Sequence, residues 1–485
     1  MPRVFSMTNK DAIRSMAVAI QTPGIVLSRE KTDRHGNVVK PGRQPLGLPV
    51  LLWGPPGVAK TAFVSMIARE LGYHLVTVLA SLREPSDFLG LPLPKHDRAT
   101  GATEVKMAPP DWAIELNIHS DNPRPAEVGQ AMVEDPPGSG HFRPAKRALL
   151  FLDEFTTAPK SVQAALLRVV HERVVGDMEL NANVAVIAAA NPPYMSPGGE
   201  ALEPPTANRF IHLDWKPLER DVWADYIEGK PATVQIPRIP DRPVFDFFWG
   251  RTAPVGAGFI RSFGQTAALD EKKIGKVSDE YRQYAPLFNM PDYRRFKMIG
   301  KKASDGFDPT ELAWPSPRSW ELALRAAAGT MAAQAEDVTT AMMCGSIGAP
   351  LCKQFAVYVK NADLKPPEHY VEGNADPKFG SVRMDQMSVM LTQIANFGLQ
   401  PDKANATVEW LWSYADVNRP QDGWPLNQYD MTLAPQYERW RDDPERGAVM
   451  AEKNPTAHAT IVGAWNSLEQ RVRSQEKGVL AGVGF

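Results

Sequence analysis

The sequence predicts an α/β domain with a mostly parallel sheet, followed by regions that are helical throughout. Three observations predict it. Short continuous apolar runs, the mark of strands buried on both faces, alternate with helical patterns and loops from about residue 46 to 215. The first run enters a glycine-proline loop that opens directly into a helical stretch. Beyond residue 216 the strand-like runs end and helical patterns take over.

In chain order, Thr8 or Asn9 caps a short helix through Ala12 and Ile13 to Ile20, and Pro23-Gly24 ends it. Residues 31–45 are polar and marked by glycine and proline, so they read as a loop. Leu48-Pro49-Val50-Leu51-Leu52-Trp53 is the first buried strand, and Thr61 to Leu71 is the helix beyond the loop. Residues 75–79, 147–152, 184–190 and 211–215 are the second to fifth strands. Two excursions interrupt the alternation. Residues 88–146 are rich in proline and glycine and promise at most a short strand near 104–107, then a helical turn after Pro109-Pro110-Asp111-Trp112. Residues 173–180 carry Gly176-Asp177 between two β-prone runs, a two-residue hairpin signal. Helices are expected over 219–227, 257–269, 319–334, 336–360, 384–397, 403–414 and 456–473, with a frayed glycine-rich tail over 478–485.

Length and composition bound the function classes. At ~150 residues per domain, 485 residues suggest about three domains. Basic and acidic residues number 54 and 56, so neither a global basic field for nucleic acid nor an acidic excess for disorder is present. Two cysteines exclude a disulfide scaffold and a cysteine-based zinc module, and Cys344 and Cys352 read as reduced, partly buried thiols. No apolar run reaches the ~20 residues of a membrane span, and the N-terminus lacks a signal peptide's apolar stretch. A cytoplasmic protein with no membrane partner is expected. Proline makes up 44 of the 485 residues, well above the usual ~5%, and many of the prolines punctuate motifs: Pro55-Pro56, Pro159, Pro192-Pro193, Pro204-Pro205, Pro315 and Pro317.

The chemistry concentrates in two places. Gly54-Pro55-Pro56-Gly57-Val58-Ala59-Lys60-Thr61 follows the first strand and opens a helix, the context of a P-loop. Backbone N–H groups of such a loop cradle phosphate oxygens, with the helix dipole adding to the attraction. Lys60 would reach the β- and γ-phosphates of ATP, and the Thr61 hydroxyl would ligate Mg²⁺. Ala59 stands where the usual pattern has glycine, and its methyl group calls for ordinary backbone angles. The third strand ends in Asp153-Glu154, which places both carboxylates at the sheet edge where ligands of open α/β sheets sit. Asp153 suits the outer shell of Mg²⁺, and Glu154 suits the base that polarises an attacking water.

These motifs carry a resemblance. Gly54 to Thr61, Leu149 to Glu154 and Ala188-Ala189-Ala190-Asn191-Pro192 look like the Walker A, Walker B and sensor 1 motifs of AAA+ ATPases. In that fold Asn191 would help position the hydrolytic water. Ala207-Asn208-Arg209-Phe210 resembles the arginine-finger segment of the MoxR-like branch, which usually has aspartate where Asn208 stands. Ser316-Pro317-Arg318-Ser319 resembles its sensor 2 motif, with Arg318 acting in cis or in trans. A guanidinium at 209 or 318 would supply fixed donors to the charge that develops on the γ-phosphoryl oxygens. The excursions at 88–146 and 173–180 occupy the places of the helix-2 insertion and the hairpin before sensor 1 that mark this clade. The resemblance implies an AAA+ α/β core over 1–216, a helical lid over 217–362 with an insertion at 264–312, and a C-terminal helical region over 363–485 for which no family is recognised. It also implies a ring, most often a hexamer, that remodels a protein client, often one with a von Willebrand factor A domain.

Other features weigh less. His171-Glu172 lacks the second histidine of a metalloprotease helix, and a structural or inter-subunit role suits His171-Glu172-Arg173 better than catalysis. Residues 271–302 interleave nine basic residues with Tyr281, Tyr284, Tyr293 and Phe296, a texture compatible with nucleic acid and with a solvated lid insertion alike. They motivate an alternative reading as a McrB-like nucleic-acid motor. Ala59 motivates another, a nucleotide-gated scaffold with little turnover. Trp410, Trp412 and Tyr414 fall on one helix, where an aromatic stripe reads first as core.

Overall fold

The structure is a computed structural model. It describes the chain except residues 1–7, 29–30, 33–37, 41, 97–102, 196–201, 218–219, 229–233, 267–286, 288–295, 297, 301–306, 363–366, 373–383, 418–432, 442–449, 452–453 and 483–485. Most of the basic-aromatic stretch 271–302 therefore lies outside the described residues, as does most of 264–312.

Five strands form one parallel sheet: β1 Val50–Trp53, β2 Tyr73–Leu79, β3 Arg147–Asp153, β4 Val184–Ala190 and β5 Ile211–Asp214. Their order is β5-β1-β4-β3-β2, every neighbouring pair parallel, as the five apolar runs predict. The runs are continuous because both faces are covered. Val50, Leu52, Leu149, Phe151, Ile187 and Ile211 bury into one core, whereas Leu51, Trp53, Leu150, Leu152, Val186 and Ala188 bury into the other. The side-chain period of two thus divides each strand between two hydrophobic layers. On the first layer pack α1, Asn9–Gln21, and α2, Lys60–Leu71. On the second packs α3, Lys160–Glu172. Helix α1 starts at a capping box in which Thr8 and Asp11 satisfy each other's backbone N–H groups.

The excursions hold more structure than their composition suggests. Within 88–146 lie an antiparallel hairpin of Leu91–His96 with Thr103–Ala108, a helix Asp111–Ile118 and a second hairpin of Met132–Glu134 with Phe142–Pro144. Prolines hide the first hairpin from sequence reading. Pro92 and Pro94 stand two residues apart, so both can occupy positions whose missing N–H points away from the partner strand. The expected hairpin at 173–180 is present as Val174–Val175 with Met178–Glu179, turning on Gly176-Asp177. It docks on the first excursion: the Asp177 carboxylate accepts from the Met107 N–H at 2.8 Å, and the Asp177 N–H donates to the Met107 carbonyl at 3.0 Å. Gly176 is needed twice over, since its φ is +59° and a Cβ there would lie 2.5 Å from the Met107 carbonyl oxygen. The segment 31–45, read as loop, contains a short ladder of Lys31–Thr32 with Val38–Lys40.

The chain divides into two compact units, Met1–Thr252 with Ala268–Gln354, and Ala253–Ala267 with Phe355–Phe485. In the first, Pro317–Ala332 forms α4. The expected helix over 336–360 is a 3₁₀ turn and two helices, Thr339–Ile347 and Ala349–Ala362, broken at Gly348, whose φ is +83°. Cys344 and Cys352 are free and fully buried, more so than expected. The expected helix over 257–269 starts much earlier, spanning Arg242–Thr266, because Pro243 falls in the first turn where its missing N–H costs nothing. The second unit has its own core, including Leu391, Ile394, Val408, Leu411, Trp440 and Trp465. Trp410 and Trp412 pack against it, as the core reading of that stripe expects. The glycine-rich tail, expected to fray at Gly478, is helical to Gly482 as the end of Pro455–Gly482. Helix Ala434–Arg441 was not anticipated, its sequence being polar and proline-containing. Among the described residues no helix is long and apolar enough to cross a membrane.

Candidate nucleotide site and a distant arginine cluster

Parallel pairing brings the motif residues to one edge. Ala190 of β4 lies beside Trp53 of β1, and Leu152 of β3 lies beside Ala188 of β4, so the C-terminal ends of three strands stand in a row. Gly54 leaves β1 with its N–H on the Ala190 carbonyl at 3.1 Å. No side chain fits at Gly54, because a Cβ would come within 2.6 Å of the Trp215 carbonyl oxygen. Trp215 also braces the loop, donating its indole N–H to the Val58 carbonyl at 2.9 Å and packing on Phe63 of α2.

Lys60 is 8% exposed and folds back under this loop. Its ammonium donates to the carbonyls of Gly54 at 2.6 Å and Pro55 at 2.9 Å, and to Asn191 Oδ1 at 3.1 Å. Burial pulls its pKa down to about 8, and the nearby carboxylates of Asp153 and Glu154 partly restore it. Thr61 donates its hydroxyl to Asp153 Oδ2 at 2.9 Å. A hydroxyl and a carboxylate oxygen held together, beside a lysine and a loop of backbone N–H groups, are the oxygen donors a Mg²⁺-nucleotide takes. The residues present fit that group. Glu154 stands exposed one residue further on, its backbone N–H bonded to Asp153 Oδ1 at 2.8 Å and its carboxylate accepting from Ser81.

Ala59 departs from expectation. A methyl group calls for ordinary backbone angles, yet the Ala59 φ is +62° and ψ is +24°, the left-handed conformation glycine adopts freely. The loop geometry wins over the residue: α2 begins at Lys60, and Phe63 N–H bonds the Ala59 carbonyl at 3.2 Å. Glu154 is left-handed too, with φ of +54°.

Arg209 and Arg318 are brought to each other, not to the P-loop. Arg209 precedes β5 by two residues, and Ile211 at the start of β5 pairs with Val50 at the start of β1. The P-loop follows Trp53 at the other end, so the length of β1, about 10 Å, separates the two sites. A small cavity at the Arg209 edge is lined by Pro45, Pro49, His171, Arg173, Arg209 and Arg318. Arg318 lies 3.4 Å from His171 Nε2, a contact that needs a neutral ring accepting at that nitrogen. Burial and the two arginines push the His171 pKa down to about 4. Arg209 donates to the Pro205 carbonyl at 2.5 Å, and among the described residues its Nε has no partner. Among the described residues neither arginine forms an ion pair; burial lowers the pKa of both, and for Arg209 the nearby Glu172 offsets part of that.

Asn208 joins the two arginine segments. It is buried, donates to the Trp314 carbonyl at 2.7 Å and accepts from the Ser316 hydroxyl at 2.6 Å. Ser316 in turn caps α4, which carries Arg318. An aspartate could accept from Ser316 but could not donate to Trp314, which explains asparagine in this chain. Ser81, Trp215 and Trp314 escaped sequence reading; a polar residue just past β2, at the same edge as Asp153, was the signal available for Ser81.

Residues 49–210 match the family model of the AAA domain of the dynein-related subfamily. The chain contains an AAA domain. That domain spans the P-loop, the Asp153-Glu154 pair and Asn191, and it ends next to Arg209. Two further likenesses are short or distant. A stretch of 32 residues is 59% identical to the replication factor C large subunit of Pyrobaculum calidifontis, covering 7% of this chain and 8% of that protein. A crystal structure of a provisionally assigned ATPase from Cytophaga hutchinsonii aligns at 14% identity with a TM-score of 0.27, over 52% of this chain and 66% of the other.

Proposed function

We propose that the chain is a MoxR-like AAA+ ATPase that hydrolyses ATP with Mg²⁺ and works as a ring, most simply a hexamer, to remodel a protein client. One observation carries the reading. Lys60, Thr61, Asp153, Glu154 and Asn191 meet at one end of the parallel sheet, while Arg209 and Arg318 meet at the other. Loop N–H groups and Lys60 hold the phosphates, and Thr61 and Asp153 hold the cation. Held there, Mg²⁺ would supply neutralisation of charge on the phosphate oxygens. Glu154 takes the proton of the attacking water, and Asn191, which already meets Lys60, orients that water. Ser81 donates to the Glu154 carboxylate and so fixes its direction at the sheet edge.

Arg209 and Arg318 then act on the nucleotide of a neighbouring copy. Half-buried guanidiniums that form no ion pair among the described residues are suited to an anion arriving from outside. The client face is the Leu91–His96 and Thr103–Ala108 hairpin, which exposes Leu91, Leu93 and Val105. A protein with a von Willebrand factor A domain is the partner of that reading.

The test is Glu154→Gln. This variant should bind Mg-ATP with wild-type affinity and lose hydrolysis by about 10²–10⁴-fold. Normal turnover in it would remove Glu154 from the mechanism. Weak turnover by the wild type at ring-forming concentrations would favour the nucleotide-gated scaffold instead.

A further inference from the structure

Beside the arginine cluster lies a second cavity, about 300 Å³, lined by residues 42–45, 122–125, 179–180 and 182 together with Leu27 and Arg173. Its charged lining is Arg43, Arg124, Arg173 and Glu179. Glu179 is already engaged, bonding Arg43 Nε at 3.0 Å. That leaves a positive surplus centred on Arg173.

Arg173 is the unusual member. It is 3% exposed and sits at the end of α3 in a left-handed conformation, φ +57°. One guanidinium nitrogen donates to the Val184 carbonyl at 3.0 Å, while Nε is buried with no partner among the described residues. No ion pair reaches it among those residues, and its nearest charged influence is another arginine, Arg43; burial and Arg43 together pull its pKa down to about 10. An arginine does not escape this by losing its proton at neutral pH, so the buried charge calls for an anion. Gln44 cannot help, since its amide is spent on the Gly24 carbonyl and on Arg242.

We propose that this cavity is an oxyanion site that takes a tetrahedral inorganic anion of the phosphate class on Arg173 and Arg124. The cavity has room for such an ion with several waters, each of which occupies about 30 Å³. The surplus of two positive charges matches a divalent anion better than a single carboxylate. The exposed Arg124 gives the ion a solvent-side partner. Leu27, Pro45 and Arg173 line both this cavity and that of Arg209 and Arg318, so the anion would sit next to the arginine cluster.

The experiment is thermal unfolding of the full chain in inorganic phosphate against chloride at equal ionic strength, with phosphate titrated. Because the P-loop also binds phosphate, the series includes Lys60→Ala. A saturable rise in Tm is expected in the wild type and in Lys60→Ala, with the apparent phosphate affinity about ten- to a hundredfold weaker in Arg124→Glu and in Arg173→Met. If Arg173→Met does not fold, the exposed Arg124 decides. A rise abolished by Lys60→Ala belongs to the P-loop and overturns the proposal. A rise unchanged in the cavity variants overturns it too. So does the absence of any rise, including the case where Arg124→Glu instead weakens self-association in sedimentation, which would mean that a carboxylate of a second copy fills the cavity.

Discussion

Ala59 and Glu154 hold left-handed backbones on the two motifs that face each other across the P-loop edge. For an L-residue this conformation costs about 1–2 kcal/mol, and such strain gathers at functional sites where the surrounding structure over-determines it. Ala59→Gly should therefore relieve strain, offset in part by about 0.4–1 kcal/mol of added freedom in the unfolded chain. A rise in Tm of about 1 °C is expected by calorimetry. A clear fall would show that Ala59 is not strained. His212 gives a prediction of opposite character. Trp53 donates to its Nδ1 at 2.9 Å and its Nε2 donates to the Ala207 carbonyl at 2.9 Å, so the buried ring is neutral, its pKa pulled to about 4 by burial. Between pH 6.5 and 4 the unfolded chain binds a proton that the folded chain refuses, so stability falls as pH falls through that window, by about 3 kcal/mol from His212. Urea midpoints at pH 7, 5.5 and 4.5 measure this. His212→Asn, with an amide donor and an acceptor, should reduce the slope and leave the part His171 contributes, and an unchanged slope would assign it elsewhere.

At the scale of elements, the contacts that matter most join segments far apart in sequence. Asn208 ties the Arg209 segment to the N-terminus of α4. Asn208→Asp would remove one of the two donors to the Trp314 carbonyl, leaving the Ser319 hydroxyl at 2.9 Å, and bring a carboxylate against that oxygen, at a cost of about 1–3 kcal/mol. A denaturation midpoint equal to wild type would make that bond dispensable. The strands, the P-loop and the acid pair were legible because each is written locally, in an apolar run followed by Gly-Pro or Asp-Glu. The partners of those motifs were not. Trp215 under Val58 and Ser81 beside Glu154 depend on which strands pair, which a single sequence does not state. The proline-bearing hairpin at 91–108 misled for a related reason: the two prolines look like breakers until a partner strand takes the positions between them.

At the scale of the molecule, the separation of Arg209 from its own P-loop makes a mixing experiment decisive. Arg209→Ala and Glu154→Gln should each be inactive alone. Mixed in equal amounts, they should regain ATPase activity, because interfaces that join an intact arginine edge to an intact Glu154 form in mixed assemblies. No recovery across concentrations at which the chains associate would mean that Arg209 serves its own nucleotide or none.

The opposed placement of the two ends of β1 also gives each copy a polarity. One end offers a nucleotide pocket, and the other offers cations in search of an anion. A two-fold dimer joins pocket to arginines twice only where both lie on one self-complementary face, and it cannot pair sites carried on opposite faces. Head-to-tail stacking can, and unless the rotation between copies closes on itself the stack grows as a helix with two mismatched termini. An open row of any length always leaves one pocket without its arginines and one pair of arginines without a pocket. If the proposed ring forms, closure removes both defects in a single step, so the last subunit to join should raise turnover more than any before it.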